Sequence, residues 1–249
     1  MRSECGPEFT ALGGLDAWYR QAFGGRFEAA EREALAQVLP TLFGYHAVCI
    51  DVCPAVDWLA ASSIRHRCRL GLTRTEVTTL VLAPDAWPLR SDSLDLVVLP
   101  HVLESVAAPE TVVAELERVL IAEGHAVILG FNPLFDGGLW RLPGAAAGTL
   151  PAGVRPLGVA LVRDWLRRHG FVVAVPRFYG HWPWRVEHWL GRHPRLAAAW
   201  PAPLGACGYL LLAKKRVSTL TLVRPRWRSR RRLIPVAVEG RLLESKRAK

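Results

Sequence analysis

The sequence contains no apolar run approaching the roughly 18 to 20 residues that a membrane-spanning helix requires. Its first residues, MRSECGPEFTALGG, carry no hydrophobic leader core, so a cytoplasmic location is expected, with no transmembrane segment. Cys5, Cys49, Cys53, Cys68 and Cys207 are odd in number and scattered, which argues against a disulfide framework. His181, His188 and His193 lack zinc-ligand spacing and an accompanying cysteine pair, so no metal site is expected. No internal repeat is present.

What the sequence does contain is apolar mass. Of 249 residues, 51% are hydrophobic and 22% charged, enough to bury a sizeable core. The formal net charge of +10 is unevenly placed. Residues 218–249 hold eight Arg and two Lys against Glu239 and Glu244, a net of +8, so residues 1–217 carry only +2. The expected organisation is a globular domain over 1–217 and a basic, flexible tail over 218–249. Near-neutrality of the globular part argues against a phosphate-gripping core.

Helical and strand-like patterns alternate along 1–217. A helix is expected from Phe27 to Leu42, with Phe27, Ala30, Leu35, Val38, Leu39 and Leu42 forming its apolar face and Glu28, Glu31 and Glu33 near its start. Short apolar runs at Ala47–Val52, Val77–Leu82, Asp95–Leu99 and Ala126–Leu129 read as buried strands. An amphipathic helix over Thr111–Ile121 is broken by Gly124, and another helix covers Ala160–His169. Phe171–Val175 and Tyr209–Ala213 are two further strands, with a Trp-rich insert at 181–200 between them. Strands built of continuous Val, Ile and Leu and separated by helices indicate an α/β protein. Its doubly wound, mostly parallel sheet carries helices on both faces. Ligands of such sheets sit beyond the carboxyl ends of the strands, at the switch point.

Two segments, SDSLDLVVLPHVLES (91–105) and ELERVLIAEGHAVILGFNP (115–133), give this pattern a family resemblance. Their order resembles the middle of class I S-adenosylmethionine-dependent methyltransferases, where a strand ending "DlVv" precedes a helix ending "RvLkpGG". The finer match, with GFNP and a late basic segment, is similar to a small group of bacterial methyltransferase type 11-like proteins. The resemblance covers residues 10–217. It implies a seven-stranded Rossmann-like sheet, S-adenosylmethionine as cofactor and transfer of a methyl group to an acceptor that the sequence does not identify.

The resemblance also assigns site residues. Ile50-Asp51-Val52-Cys53-Pro54-Ala55 aligns with the family's "LDLGCG", so Asp51 is the first-strand acid, while Cys53, Ala55 and Asp57 stand where glycines belong. Glycine serves there because the backbone takes positive φ and approaches the ligand closely. This loop therefore binds the cofactor differently or does not bind it. The strand Arg67–Leu72 ends without the expected ribose-binding carboxylate. A charge-assisted hydrogen bond is worth roughly 1.5–3 kcal/mol, so its loss weakens affinity by about one or two orders of magnitude. Asp85-Ala86-Trp87-Pro88-Leu89 resembles the family's "D-a-x-x-L-P". There the resemblance implies that Asp85 accepts from the adenine amino group, Ala86 donates a backbone N–H and Trp87 packs on the ring. The bland alternative is that Asp85 only caps a turn.

Leu99, Pro100, His101 and Glu104 follow at the rim of the fourth strand, where cofactor and substrate should meet. Methyl transfer draws on proximity and alignment, and a protonated acceptor also needs a base. His101 is the candidate base; alternatively it and Glu104 interact only with each other. Phe131 and Asn132 close the fifth strand, and with Trp182 and Trp184 they are candidates for the substrate wall or lid. In the tail, RPRWRSRRR (224–232) can neutralise phosphates and stack on bases of RNA or meet an anionic lipid surface, unless it is a solvated end with no partner. Two functional readings follow: a methyltransferase, or a methyltransferase-like scaffold that has lost its cofactor and associates with RNA through the tail.

Overall fold

The computed structural model describes residues 10–52, 56–72, 80–135, 150, 153–181, 192 and 205–216. Cys53, Ala55, Trp182, Trp184 and the segment 224–232 lie outside them. Two helices lead the chain, α1 (Thr10–Tyr19) and α2 (Ala22–Val38). Gly24 allows their tight junction, since a Cβ there would lie 2.1 Å from the Trp18 carbonyl oxygen. The α2 stripe Phe27, Glu31, Ala34, Leu35 and Val38 is buried, at i, i+4 and i+7 spacings.

The strands are β1 (His46–Asp51), β2 (His66–Gly71), β3 (Leu80–Val81), β4 (Leu94–Pro100), β5 (Leu120–Phe131), β6 (Phe171–Val173), β7 (Arg177–His181) and β8 (Ala206–Lys215). They form one sheet in the order β3-β2-β1-β4-β5-β8-β6, and β7 also pairs with β8. The β1–β5 ladders are parallel and β8 runs antiparallel to β5. On β8, Val173 pairs with Ala213 and Arg177 with Leu210, a one-residue slip. Strands β6 and β7 are thus a single interrupted strand, which reconciles eight strands with the expected seven.

Short α3 (Val102–Ser105) follows β4, while α4 (Pro109–Val119) and α5 (Val159–Arg168) complete the described helices. α4 buries Val112, Val113, Leu116 and Val119. The central strands are apolar on both faces: Leu96 to Leu99 and Ala126 to Leu129 are all within 1% of fully buried.

Two expectations are corrected. The first long helix starts at Ala22 and ends at Val38, with a 3-10 turn, Leu39–Thr41, after it. β5 starts at Leu120, before Gly124. Its ladder to β4 slips between Leu94/Leu120 and Leu96/His125, and Glu123 takes a left-handed φ of 66°, so the glycine marks an irregularity inside the strand. The crossover from β1 to β2 contains turns and no helix among its described residues, 56–65.

Candidate active site

Sheet order reverses between β1 and β4, so the crevice is expected beyond the carboxyl ends of these two strands. Asp51 ends β1. Its carboxylate is buried and accepts from the Arg69 guanidinium on β2, with Nη2–Oδ2 at 2.8 Å and Nε–Oδ2 at 3.2 Å. Burial raises the Asp51 pKa, opposed by Arg69. Asp16 of α1 adds a repulsive charge that raises it further. Arg69 Nη2 also donates to the Val56 carbonyl at 2.7 Å, which anchors the chain leaving β1. Burial works against the Arg69 charge, but its hydrogen bond and Coulombic attraction to Asp51 prevail and raise its pKa. Asp57 acts electrostatically on the same group.

Trp58 follows in this crossover. It is 1% exposed, and its indole N–H has no hydrogen-bond partner among the described residues. A buried unpaired donor costs about 1–3 kcal/mol. Beside it, a cavity of about 310 Å³ opens between α2 and the 57–61 turn, with Arg32, Leu35, Asp57 and Trp58 in its lining.

Beyond β3, the turn that carries Asp85 is held from α4. Arg118 donates to the carbonyls of Trp87 (2.9 Å) and Leu89 (2.8 Å), and Glu115 Oε2 accepts the Trp87 N–H at 2.8 Å. The Glu115–Arg118 pair, 2.7 Å apart, fixes both partners. Hydrogen bonding by Arg118 lowers the Glu115 pKa. The ELER segment therefore shapes the loop in which Asp85 is exposed to solvent. The Ala86 N–H donates to Ala83 O at 3.3 Å, and the buried Trp87 indole donates to Pro84 O at 3.1 Å. Asp85 thus offers its carboxylate outward while its two neighbours hold the turn.

Past β4, Leu99 and Pro100 are buried. His101 takes a left-handed φ of 55°, which turns its side chain into the protein, where it is 1% exposed. Its Nδ1 lies 2.8 Å from Glu104 Oε2 and its Nε2 lies 2.6 Å from Glu31 Oε1. Glu31 also accepts from the Tyr19 hydroxyl (2.7 Å) and the Tyr179 hydroxyl (2.9 Å). Glu104 Oε1 accepts the Phe131 N–H at 2.7 Å. Phe131 caps the cluster, with its ring centroid 4.0 Å from that of His101 and 5.2 Å from that of Phe27. Burial alone would lower the His101 pKa, but the two carboxylates outweigh it and raise it to about 9. Burial raises the Glu104 carboxyl, with His101 pulling the other way. The arrangement is a buried imidazolium between two acids, in which both ring nitrogens are engaged.

Asn132 is also occupied. Its amide donates to Ala206 O at 2.9 Å and accepts from the Leu134 N–H at 3.1 Å, tying β5 to the start of β8.

The structure therefore brings His101, Glu104 and Phe131 together in one cluster and places Asp51 and Asp85 at the ends of other strands. Glu31, Tyr19, Tyr179, Arg69 and Trp58 were missed by sequence reasoning. Only Glu31 left a signal: it sits in the Phe27–Leu35 stripe, where an apolar residue belongs.

A twisted sheet in this order with one antiparallel strand near its edge is the fold of class I methyltransferases. Residues 32–128 match the methyltransferase domain family. The chain is 28% identical over 208 residues to Escherichia coli K12 protein YafS, spanning 83% of each chain. Among solved structures it resembles a SAM-dependent methyltransferase from Archaeoglobus fulgidus (14% identity, TM-score 0.56, 77% of this chain and 95% of that one). It also resembles an S-adenosylmethionine-dependent methyltransferase from Mesorhizobium loti (17% identity, TM-score 0.51, 76% and 99%).

The residues present suit that cofactor in charge. Asp16 acts electrostatically on Asp51, and Asp51 and Asp57 act on Arg69, so carboxylates gather beyond β1, a charge that suits a cationic sulfonium.

Proposed function

We propose that this protein is an enzyme that transfers the methyl group of S-adenosylmethionine to an acceptor bound beyond β4 and β5. The observation that supports this reading best is the Asp85 turn. Arg118 and Glu115 fix it from α4, yet they leave its carboxylate exposed at the strand ends. Asp85 would accept from the adenine amino group, and the acids around Asp51 would balance the cofactor's positive charge. The bound cofactor supplies an electrophilic methyl group. What the chain adds is alignment, exclusion of water and charge balance.

With both nitrogens of His101 engaged by acids, its role in this reading is positioning: it fixes the end of β4 and holds α2 against it. The reaction then draws on orientation, and an acceptor that arrives deprotonated needs no base. Incubation with methyl-tritiated S-adenosylmethionine and fractionated bacterial extract tests the reading. Label should enter one acceptor fraction with the wild type and fall at least about tenfold with Asp85→Ala.

The Asp51–Arg69 pair favours a second reading. Arg69 reaches across the end of β1, where the family's glycine loop begins, and β2 carries no ribose acid. On this reading the fold serves as a scaffold that binds a partner, with RNA recruited through 224–232. Absence of any labelled fraction, together with retained RNA binding, would favour it.

A further inference from the structure

Two histidines sit at the opposite end of the sheet. His46 opens β1 and His66 opens β2, and the parallel register pairs them directly, so both side chains project from the same face. Both are exposed to solvent. Their Nδ1 atoms lie 2.9 Å apart, and their rings cross at 89° with centroids 4.8 Å apart. Neither ring has another hydrogen-bond partner among the described residues. The backbone beneath them is anchored: Asp95 on the adjacent β4 accepts the N–H groups of Tyr45 (3.0 Å) and His46 (2.9 Å) through Oδ2.

We propose that His46 and His66 form a two-imidazole site for a late first-row divalent metal ion of the nickel or copper class. The contact between Nδ1 atoms needs one donor and one acceptor, so at least one ring of the pair is neutral and carries a lone pair. Two protonated rings would bring two N–H groups face to face. A metal ion replaces the shared proton, which leaves to solvent, and both nitrogens become ligands. At metal–nitrogen distances of about 2.05 Å, two nitrogens at 90° lie about 2.9 Å apart, whereas tetrahedral ligands lie about 3.3 Å apart. The observed spacing lies close to both values, so the two nitrogens are near enough to be neighbouring ligands of one ion, and imidazole pairs bind nickel and copper well. Rotation of the two exposed rings brings their lone pairs onto a common point without moving the strands.

No group of three or more His, Cys, Asp or Glu among the described residues could hold a metal, so water completes the coordination sphere. The flanking Arg65 and Arg67 lower the affinity for a cation, and Asp95 one strand away opposes them. The ion would clamp the first residues of β1 and β2 together. This site lies away from the carboxyl ends of the strands, so it stands or falls independently of methyl transfer.

Nickel chloride titrated into the untagged full chain at pH 7.5, followed by calorimetry, tests the proposal. Wild type should bind one equivalent, and both His66→Ala and His46→Ala should bind at least about tenfold more weakly, because each removes one of two protein ligands. The melting temperature without metal should be unchanged in these surface variants. A second readout needs no variant: paramagnetic broadening by Ni²⁺ should reach the His46 and His66 ring signals first. Identical titrations of wild type and His66→Ala, no heat at millimolar nickel, or broadening that spares both rings would each overturn the proposal.

Discussion

Glu31 and His101 stand 70 residues apart in sequence and 2.6 Å apart in space. Through this contact α2 reaches the end of β4. Glu31 is fully buried and His101 is 1% exposed, so the pair has left water and relies on its surroundings for compensation. Tyr19, Tyr179 and Glu104 supply that compensation, and they come from α1, β7 and α3 respectively.

Removing one member of such a pair leaves an uncompensated buried charge. His101→Ala should destabilise the protein by about 3–5 kcal/mol. For a domain of this size that lowers the melting temperature by about 10 °C. Differential scanning calorimetry checks this, and a shift below about 2 °C would show that the cluster is not holding α2.

The same contact makes stability pH-dependent. The folded His101 pKa is raised to about 9 from an ordinary 6.5. Its contribution is therefore fully present below pH 6.5 and is lost as pH rises towards 9. A shift of this size corresponds to about 3 kcal/mol. Burial also raises Glu104, but loss on that account starts at its ordinary 4.5 and so at lower pH. Urea midpoints should fall between pH 6 and 9 in the wild type. The His101→Gln variant should lose this component of the slope.

Gly208 on β8 lies opposite Tyr179 on β7, and a Cβ there would come 2.5 Å from the Tyr179 ring. The glycine makes room for the ring whose hydroxyl reaches Glu31. Gly208→Ala should cost about 1–3 kcal/mol by overpacking. It should also displace Tyr179 from Glu31, detectable as a fall in the strongly raised Tyr179 pKa by ultraviolet titration.

The tail proposal rests on charge alone. Changing Arg230, Arg231 and Arg232 together to Gln in the full chain should weaken RNA binding uniformly across sequences. The salt slope should drop by roughly 2–3 units, nearly one for each phosphate that is no longer neutralised. Unchanged retention on an RNA column would remove nucleic acid as the partner of the tail.

The α/β alternation, the parallel core strands and α4 were legible because their apolar periodicity is local and strong. Leu94–Pro100 and Pro109–Val119 fall within two residues of the expected β4 and α4. Less legible were features set by long-range packing. α1 is recognisable only once Trp18 and Tyr19 meet Phe27 and Phe131. β7 is polar at Arg177 and His181, and its pairing with β8 makes it a strand. Glu31 reads as a solvated helix charge until His101 and two tyrosines converge on it. The ELER segment was legible as family pattern, but its physical work, holding the Asp85 turn, needed the hydrogen bonds from Arg118 to Trp87 and Leu89.

The central claim is that the crevice beyond β1 and β4 still holds an adenosyl cofactor although its first turn lacks the usual glycines. Calorimetric titration with S-adenosylhomocysteine tests it most directly. We expect micromolar binding in the wild type, weakened at least about tenfold by Asp85→Ala with an unchanged melting temperature, because that carboxylate is exposed and would make its bond to the ligand. No heat at millimolar ligand, or equal affinity in the two proteins, would contradict the account.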